Sequence, residues 1–394
     1  MMGQGTEKPR LIFWEVTKGC NLRCIHCRAS ATELSSPTDF NTETALDVIS
    51  QIAAFGNPIL VLSGGEPLYR TDIFDLARFA TDKGLRVALA TNGTLVSKVV
   101  AQKIVASGVK RVAISLDGAD ALTHDSFRGI PGAFDAAING LRNLKELGMS
   151  VQINMTIARH NAAQLPGVLE LSKRIGADAL HTFLLVPVGC GVDIAEAQMV
   201  PPTQYEEILN WFYDRSSEGG IELKATCAPH YFRVMRQRKA EERRAAAVYA
   251  RPVMNDEIGP TEMTMPGATG MSFNPTGHPG GHPDGMNAVT KGCLAGTGVC
   301  FISHQGEIYP CGYLPVIAGD LKKQKFADIW NNAAIFNELR DTDNLKGKCG
   351  CCEFRNVCMG CRARAFAATG DYMQQEPFCI YEPKSEALKQ RLQH

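Results

Sequence analysis

Between residue 11 and about residue 217 the chain passes six times from a short apolar run to an amphipathic stretch, and this alternation restricts its fold more than any other feature. The runs are LIFWEVT (11–17), PILVLS (58–63), RVALAT (86–91), RVAISLD (111–117), SVQINMTI (150–157) and ALHTFLLVP (179–187). Each is apolar or β-branched along most of its length, as a strand buried on both faces must be. In residues 133–147, by contrast, Phe134, Ala137, Ile138, Leu141, Leu144 and Leu147 repeat at helical spacing, and Gly148 follows as a stop signal. Strict alternation implies parallel strands joined by right-handed helical crossovers. Six units are too few to close an eight-fold barrel. The expectation is an α/β fold, a partial, open (β/α)6 TIM-like barrel over residues 11–225, preceded by a short tail (1–10).

After the sixth helix (203–217, opened by Pro201-Pro202-Thr203) the pattern changes. Residues 229–250 read as a basic helix carrying Arg233, Arg236, Arg238, Arg243 and Arg244, and residues 254–289 as a Gly/Pro/Met/His-rich loop. Together residues 226–290 form a linker segment, and residues 291–394 a small C-terminal domain. That last part reads as too poor in apolar residues to hold a core without metal. Lys+Arg and Asp+Glu number 41 each, which argues against nucleic-acid binding. No apolar run reaches membrane-span length and MMGQGTEKPR lacks a signal-peptide core, so a cytoplasmic protein is expected.

The 14 cysteines are not scattered as core residues would be. Three (Cys20, Cys24, Cys27) lie within eight residues, nine lie between residues 293 and 379, and only Cys190 and Cys227 stand apart. The trio follows the first strand as C-x3-C-x2-C, at the strand end where α/β folds place ligands. Three thiolates can hold three irons of a [4Fe–4S] cube and leave the fourth iron open. Structural zinc is the alternative, with His26 as the fourth ligand.

In this position the trio resembles the signature of the radical S-adenosylmethionine (SAM) superfamily. The resemblance implies that the open iron chelates SAM and that the reduced cluster cleaves its sulfonium to a 5′-deoxyadenosyl radical. It also implies a low-potential electron donor such as ferredoxin or flavodoxin. His26 stands where the family commonly has an aromatic residue that packs on the cluster. Gly64-Gly65-Glu66-Pro67 after the second strand is similar to the family's GGEP motif, which meets the methionine moiety of SAM. Asn92, Ser115 and Asp117 resemble the polar strand ends that face the ribose and carboxylate. Arg128 matches the arginine that pairs with the SAM carboxylate, and Asn154 faces the same crevice if the alternation of its strand holds.

Cys293-x12-Gly306-x4-Cys311, then Cys349-x2-Cys352-x5-Cys358-x2-Cys361 and Cys379, resemble the SPASM extension, which carries one or two auxiliary [4Fe–4S] clusters. The resemblance assigns Cys349, Cys352, Cys358 and Cys379 to one cluster. Cys293, Cys311 and Cys361 remain for a second, with Cys300 the candidate fourth ligand. The family usually has three residues where Cys358-x2-Cys361 has two, which shifts Cys361. Cys351 reads as a bystander, and a zinc ribbon is the alternative for the central four.

Three stretches, CIHCRAS, LKATCAPHY (223–231) and GTGVCFISHQGEIYPCGYL (296–314) with CCEFRNVCMGCRAR (351–364), resemble the tetrapyrrole-modifying group, above all heme b synthases of the siroheme-dependent pathway. Such enzymes convert two propionates of iron-coproporphyrin III to vinyl groups, using two SAM molecules. Didecarboxysiroheme deacetylases and heme d1 enzymes share most of these motifs, and a SPASM-type peptide maturase is a further alternative. A bare iron–sulfur electron carrier would have no use for the GGEP and ribose-facing positions. A tetracarboxylate porphyrin needs cationic partners, for which the basic helix, Arg362 and Arg364 are candidates. His181, His230, His278, His282 and His304 are candidate axial ligands to its iron.

Overall fold

The computed structural model describes residues 8–249 and 292–384. Strands β1 (Leu11–Glu15), β2 (Ile59–Ser63), β3 (Arg86–Thr91), β4 (Arg111–Ser115), β5 (Ser150–Ile157) and β6 (Ala179–Leu184) occupy the six expected positions. They pair in chain order, all parallel. Between them run α1 (Thr42–Phe55), α2 (Ile73–Asp82), α3 (Lys98–Ala106), α4 (Ala121–Arg128), α5 (Ala133–Glu146) and α6 (Leu165–Arg174). Local chemistry sets their ends. The side chains of Asn41, Ser97 and Asp120 cap α1, α3 and α4 by accepting from Thr44 N, Val100 N and Thr123 N. Gly148 closes α5 at φ +72°, donating to the Lys145 carbonyl.

The sheet continues past both edges of these six strands. Beyond β6 come α7 (Gly191–Gln198), α8 (Pro202–Ser216) and then β7 (Glu222–Thr226), which adds parallel to β6. Next is α9 (His230–Tyr249), the expected basic helix. On the other edge, β8 (Val299–Ile302) pairs parallel with β1, and β9 (Glu307–Tyr309) and β10 (Gly319–Asp320) follow antiparallel. The order is β10-β9-β8-β1-β2-β3-β4-β5-β6-β7, so the sheet is open and does not close into a barrel.

The expectation of a core-poor C-terminal part is corrected. Helices α10 (Phe326–Asn332) and α11 (Ala334–Arg340) bury Phe326, Ile329, Trp330, Phe336 and Leu339 within the same apolar core as the sheet. The Phe326 ring stands edge-on to Phe55 of α1 at 5.7 Å, and its backbone N–H donates to Gln51 Oε1 at 3.0 Å. Each such burial contributes about 1.5–3 kcal/mol. The short α12 (Gly347–Gly350) and α13 (Arg362–Thr369) carry the thiol-rich turns. Among the described residues no helix is long and apolar enough to cross a membrane. His278, His282 and the Gly/Pro-rich stretch lie outside the described residues.

Candidate active site

The loop after β1 folds back on itself: Cys20 N donates to Thr32 O at 2.8 Å and Thr32 N to Lys18 O at 3.2 Å. The end of α4 braces it from the other side, because Arg23 N and Ile25 N donate to the carbonyls of Arg128 and Phe127. Cys20, Cys24 and Cys27 thereby open into one cavity of about 1110 Å³. Gly64, Gly65, Asn92, Ser115, Arg128 and Asn154 line that cavity with them, so nine of the twelve expected residues of this site meet in one place.

Donors surround the sulfurs. Leu22 N and Ala31 N approach Cys20 Sγ and Cys27 Sγ at 3.4 Å, Arg128 Nη1 donates to Cys24 Sγ at 3.7 Å, and Asn92 Nδ2 to Cys20 Sγ at 3.9 Å. Donors aimed at sulfur stabilise thiolate and tune a cluster's potential. Burial pushes the Cys20 thiol up to about 11 and raises that of Cys24, so these protons leave when metal binds. Three thiols with matched donors fit a [4Fe–4S] cube with one open iron. His26 lies flat on Phe127, ring centroids 3.8 Å apart, and burial lowers its pKa to about 3, which keeps it neutral.

The three expected residues that do not line the cavity are Glu66, Pro67 and Asp117. All three are buried, and the two carboxylates act as braces. Glu66 accepts from Thr91 Oγ1 at 2.7 Å, Asn92 N at 2.8 Å and Leu68 N at 3.1 Å, while burial pushes its pKa up to about 7. Asp117 pairs with Arg128 at 2.6 Å and accepts from Thr156 N at 2.7 Å. Burial opposes its ionisation, but the Arg128 guanidinium, helped by His26, His124 and the Thr156 N–H, holds its pKa below the usual range. The Gly64-Gly65 pair serves the cysteine loop: a Cβ on Gly65 would sit 2.4 Å from the Gly19 carbonyl.

Arg28, next to Cys27, also lines the cavity, and sequence reasoning missed it. It pairs with Glu15 at 3.0 Å and lies over the Phe301 ring at 4.1 Å. Its only sequence signal is its place in CIHCRAS. Tyr313 and the apolar run Phe183, Leu184, Leu185 and Val186 form another part of the wall.

The candidate substrate cations are largely committed elsewhere. Arg362 is fully buried and donates to the carbonyls of Tyr372 and Gln374 at 2.9 and 2.7 Å. Arg364 pairs with Glu376 at 3.0 Å, and Arg233 with Glu206 at 2.5 Å. Arg236, Arg243 and Arg244 are exposed on α9, and Arg238 is half-buried. Of the candidate histidines, His181, His230 and His304 stand 3.6, 3.9 and 3.8 Å from Glu222, Glu376 and Glu15, and none lines this cavity.

A second cavity, of about 370 Å³, gathers Cys349, Cys352, Cys358 and Cys379 with His230, Arg233, Lys348 and Arg355. Phe354 N and Glu376 N approach Cys352 Sγ and Cys349 Sγ at 3.4 Å, and burial pushes Cys352 up to about 11. Four thiols around one compact space, with backbone donors in place, fit a fully ligated cube. Cys351 turns away, its Sγ 3.5 Å from the carbonyls of Gly347 and Lys348. Cys293, Cys311 and Cys361 lie within electrostatic reach of one another. Cys300 is not with them. It is fully buried on β8 opposite Ile12 of β1, in the apolar core, and burial alone raises its pKa.

Residues 14–171 match the Radical SAM superfamily, and residues 293–353 match SPASM, an iron–sulfur cluster-binding domain, which favours clusters over zinc at both sets of thiols. The AdoMet-dependent heme synthase of Methanosarcina barkeri is 48% identical over 96% of this chain and 98% of its own. The Fe-coproporphyrin III synthase of the same organism is 27% identical over 96% of this chain and 90% of its own. Among solved structures, Streptococcus suis SuiB bound to its precursor peptide SuiA shares the fold at a TM-score of 0.67, with 17% identity, over 95% of this chain and 76% of SuiB. The chain belongs to the radical SAM superfamily and, within it, to the family of the AdoMet-dependent heme synthases.

Proposed function

We propose that this chain is a heme synthase that converts two propionate side chains of iron-coproporphyrin III to vinyl groups, giving heme b. The supporting observation is a three-thiol loop that shares one cavity with the strand-end residues Asn92, Ser115 and Asn154 and with two arginines. The choice of substrate rests on the 48% identity to the heme synthase, against 27% to the Fe-coproporphyrin III synthase of the same organism.

In this reading Cys20, Cys24 and Cys27 hold the first cluster, and Gly64, Gly65, Asn92, Ser115, Asn154 and Arg128 surround SAM. Glu66, Pro67 and Asp117 shape that site from behind. Cys349, Cys352, Cys358 and Cys379 hold one auxiliary cluster, and Cys293, Cys311 and Cys361 belong to another. When bound, the first cluster and SAM supply a 5′-deoxyadenosyl radical as hydrogen abstractor. Arg28 orients a propionate through a charge-assisted hydrogen bond. Phe183, Leu184, Leu185 and Val186 keep water away from the reacting carbon. Each propionate loses one β-hydrogen atom, carbon dioxide and one electron. A ferredoxin or flavodoxin supplies reducing electrons, in the cytoplasm.

Anaerobic incubation of reconstituted protein with SAM, dithionite and iron-coproporphyrin III tests this. Mass spectrometry should show two successive losses, each of carbon dioxide and two hydrogens. Unchanged porphyrin beside processed didecarboxysiroheme would reject the proposed substrate and keep the chain among tetrapyrrole enzymes.

A further inference from the structure

Cys293, Cys311 and Cys361 make three ligands for a cube that usually has four. Cys227 stands just past the end of β7, far from them in sequence. Its thiol lies within electrostatic reach of Cys361, Cys311 and Cys293, the same three. The Tyr313 backbone N–H donates to Cys311 Sγ at 3.5 Å, and its side chain lies within electrostatic reach of Cys227, Cys311 and Cys361.

The backbone at Cys227 is held for a purpose. Its φ is +55°, a left-handed conformation that strains a non-glycine residue. Its carbonyl accepts from Arg364 Nη2 at 2.6 Å and from Tyr205 Oη at 3.2 Å. Arg364 Nε donates to Glu376 Oε1 at 3.0 Å, and Glu376 Oε2 accepts from Cys361 N at 2.6 Å. One fully buried ion pair therefore ties the carbonyl of Cys227 to the amide of Cys361. Desolvating such a pair is costly, and a left-handed cysteine adds to that cost. The network makes sense as a clamp that brings two thiols from distant segments to one place.

The geometry points to Cys227 as the fourth ligand of the second auxiliary cluster, which completes a four-thiolate site with Cys293, Cys311 and Cys361. This rests on the reading of that trio as a cluster site. Cys300, buried between β1 and β9, has no part in it.

The test uses full-length protein purified anaerobically with Cys20, Cys24 and Cys27 all changed to alanine, so that only auxiliary clusters contribute to the spectra. Iron and sulfide are counted and EPR is recorded in both the oxidised and the reduced state for this parent and for added Cys227→Ala, Cys227→Ser and Cys300→Ala. The parent should carry about eight irons per chain, two cubes' worth. Cys227→Ala should lose one of the two EPR signals, or convert it to that of a three-iron cluster. Cys227→Ser should keep the iron but shift that one signal, leaving the other unchanged as a control for folding. Cys300→Ala should match the parent. If Cys227→Ala and Cys227→Ser both retain the parent's iron and both signals, the assignment of Cys227 is overturned. A parent with only about four irons would instead remove the two-cluster reading on which it rests.

Discussion

Each thiol-bearing region is braced by a buried arginine–carboxylate pair, Arg128–Asp117 at 2.6 Å in the first and Arg364–Glu376 at 3.0 Å in the second. The pairs are used differently. Arg128 still lines the large cavity and touches a thiol, so its pair leaves a cation facing the ligand space. Arg364 directs Nε to Glu376 and Nη2 to Tyr205 and the Cys227 carbonyl. The spaces differ in the same sense. Three thiols on one short loop line a space of about 1110 Å³, whereas four thiols from separate turns line one of about 370 Å³. An open iron needs room for a second ligand, and a fully ligated cube needs none. Arg233 and Lys348 in the smaller wall, both acting on Cys379, favour the added negative charge of a reduced cluster. Under the proposed function, the first region is the one that reacts and the second the one that holds electrons.

The contrast breaks most visibly at the thiols themselves. Cys24→Ala should abolish SAM cleavage by at least ~10³-fold, an effect of roughly 4 kcal/mol or more on the barrier. Cys352→Ala should instead leave 5′-deoxyadenosine formation measurable while vinyl products disappear. Equal loss of SAM cleavage in both would mean that the regions do not divide the work. Next in size is the brace. Asp117→Asn leaves Arg128 buried without its counter-charge, and should lower the stability of the holoprotein by about 3–5 kcal/mol in urea unfolding. Arg28→Gln sharpens the picture of the open cavity. Loss of one charge-assisted hydrogen bond of about 1.5–3 kcal/mol should raise KM for the porphyrin roughly 10- to 100-fold. SAM cleavage without porphyrin should stay unchanged.

The smallest effect concerns His124, whose Nδ1 accepts from Asp117 N at 3.0 Å and must therefore be unprotonated. Burial, reinforced by Arg128, lowers its pKa to about 4 from 6.5. Between those values the unfolded chain binds a proton that the folded chain refuses. Stability is thus complete above about 6.5 and falls as pH drops toward 4, by on the order of 1–3 kcal/mol. Urea midpoints at several pH values should fall less steeply in His124→Asn.

The six central strands were legible because each is a dense apolar run, and the cysteine loop because its spacing is local. Strand β7 was not, since ELKAT buries only Ala225 and holds no apolar run. β8 was hidden because four residues, VCFI, are too few to show a period and lie among cysteines that invite a ligand reading. Cys300 drew that reading and proved to be core. Glu66 and Asp117 had the right neighbours in sequence, but a brace and a cavity-facing carboxylate look alike until burial is known. Arg362 and Arg364 read as free cations for the same reason. Cys227 and Arg28 gain their meaning only from contacts far along the chain, which one-dimensional spacing does not carry.

The most direct measurement follows a single hydrogen. Iron-coproporphyrin III deuterated at the propionate β-carbons is incubated anaerobically with reconstituted protein, SAM and dithionite, and both products are weighed. Deuterium in 5′-deoxyadenosine, with one deuterium lost from each β-carbon that becomes part of a vinyl group, is the predicted result. Vinyl formation with unlabelled 5′-deoxyadenosine, or labelled porphyrin left intact while SAM is consumed, would contradict the account.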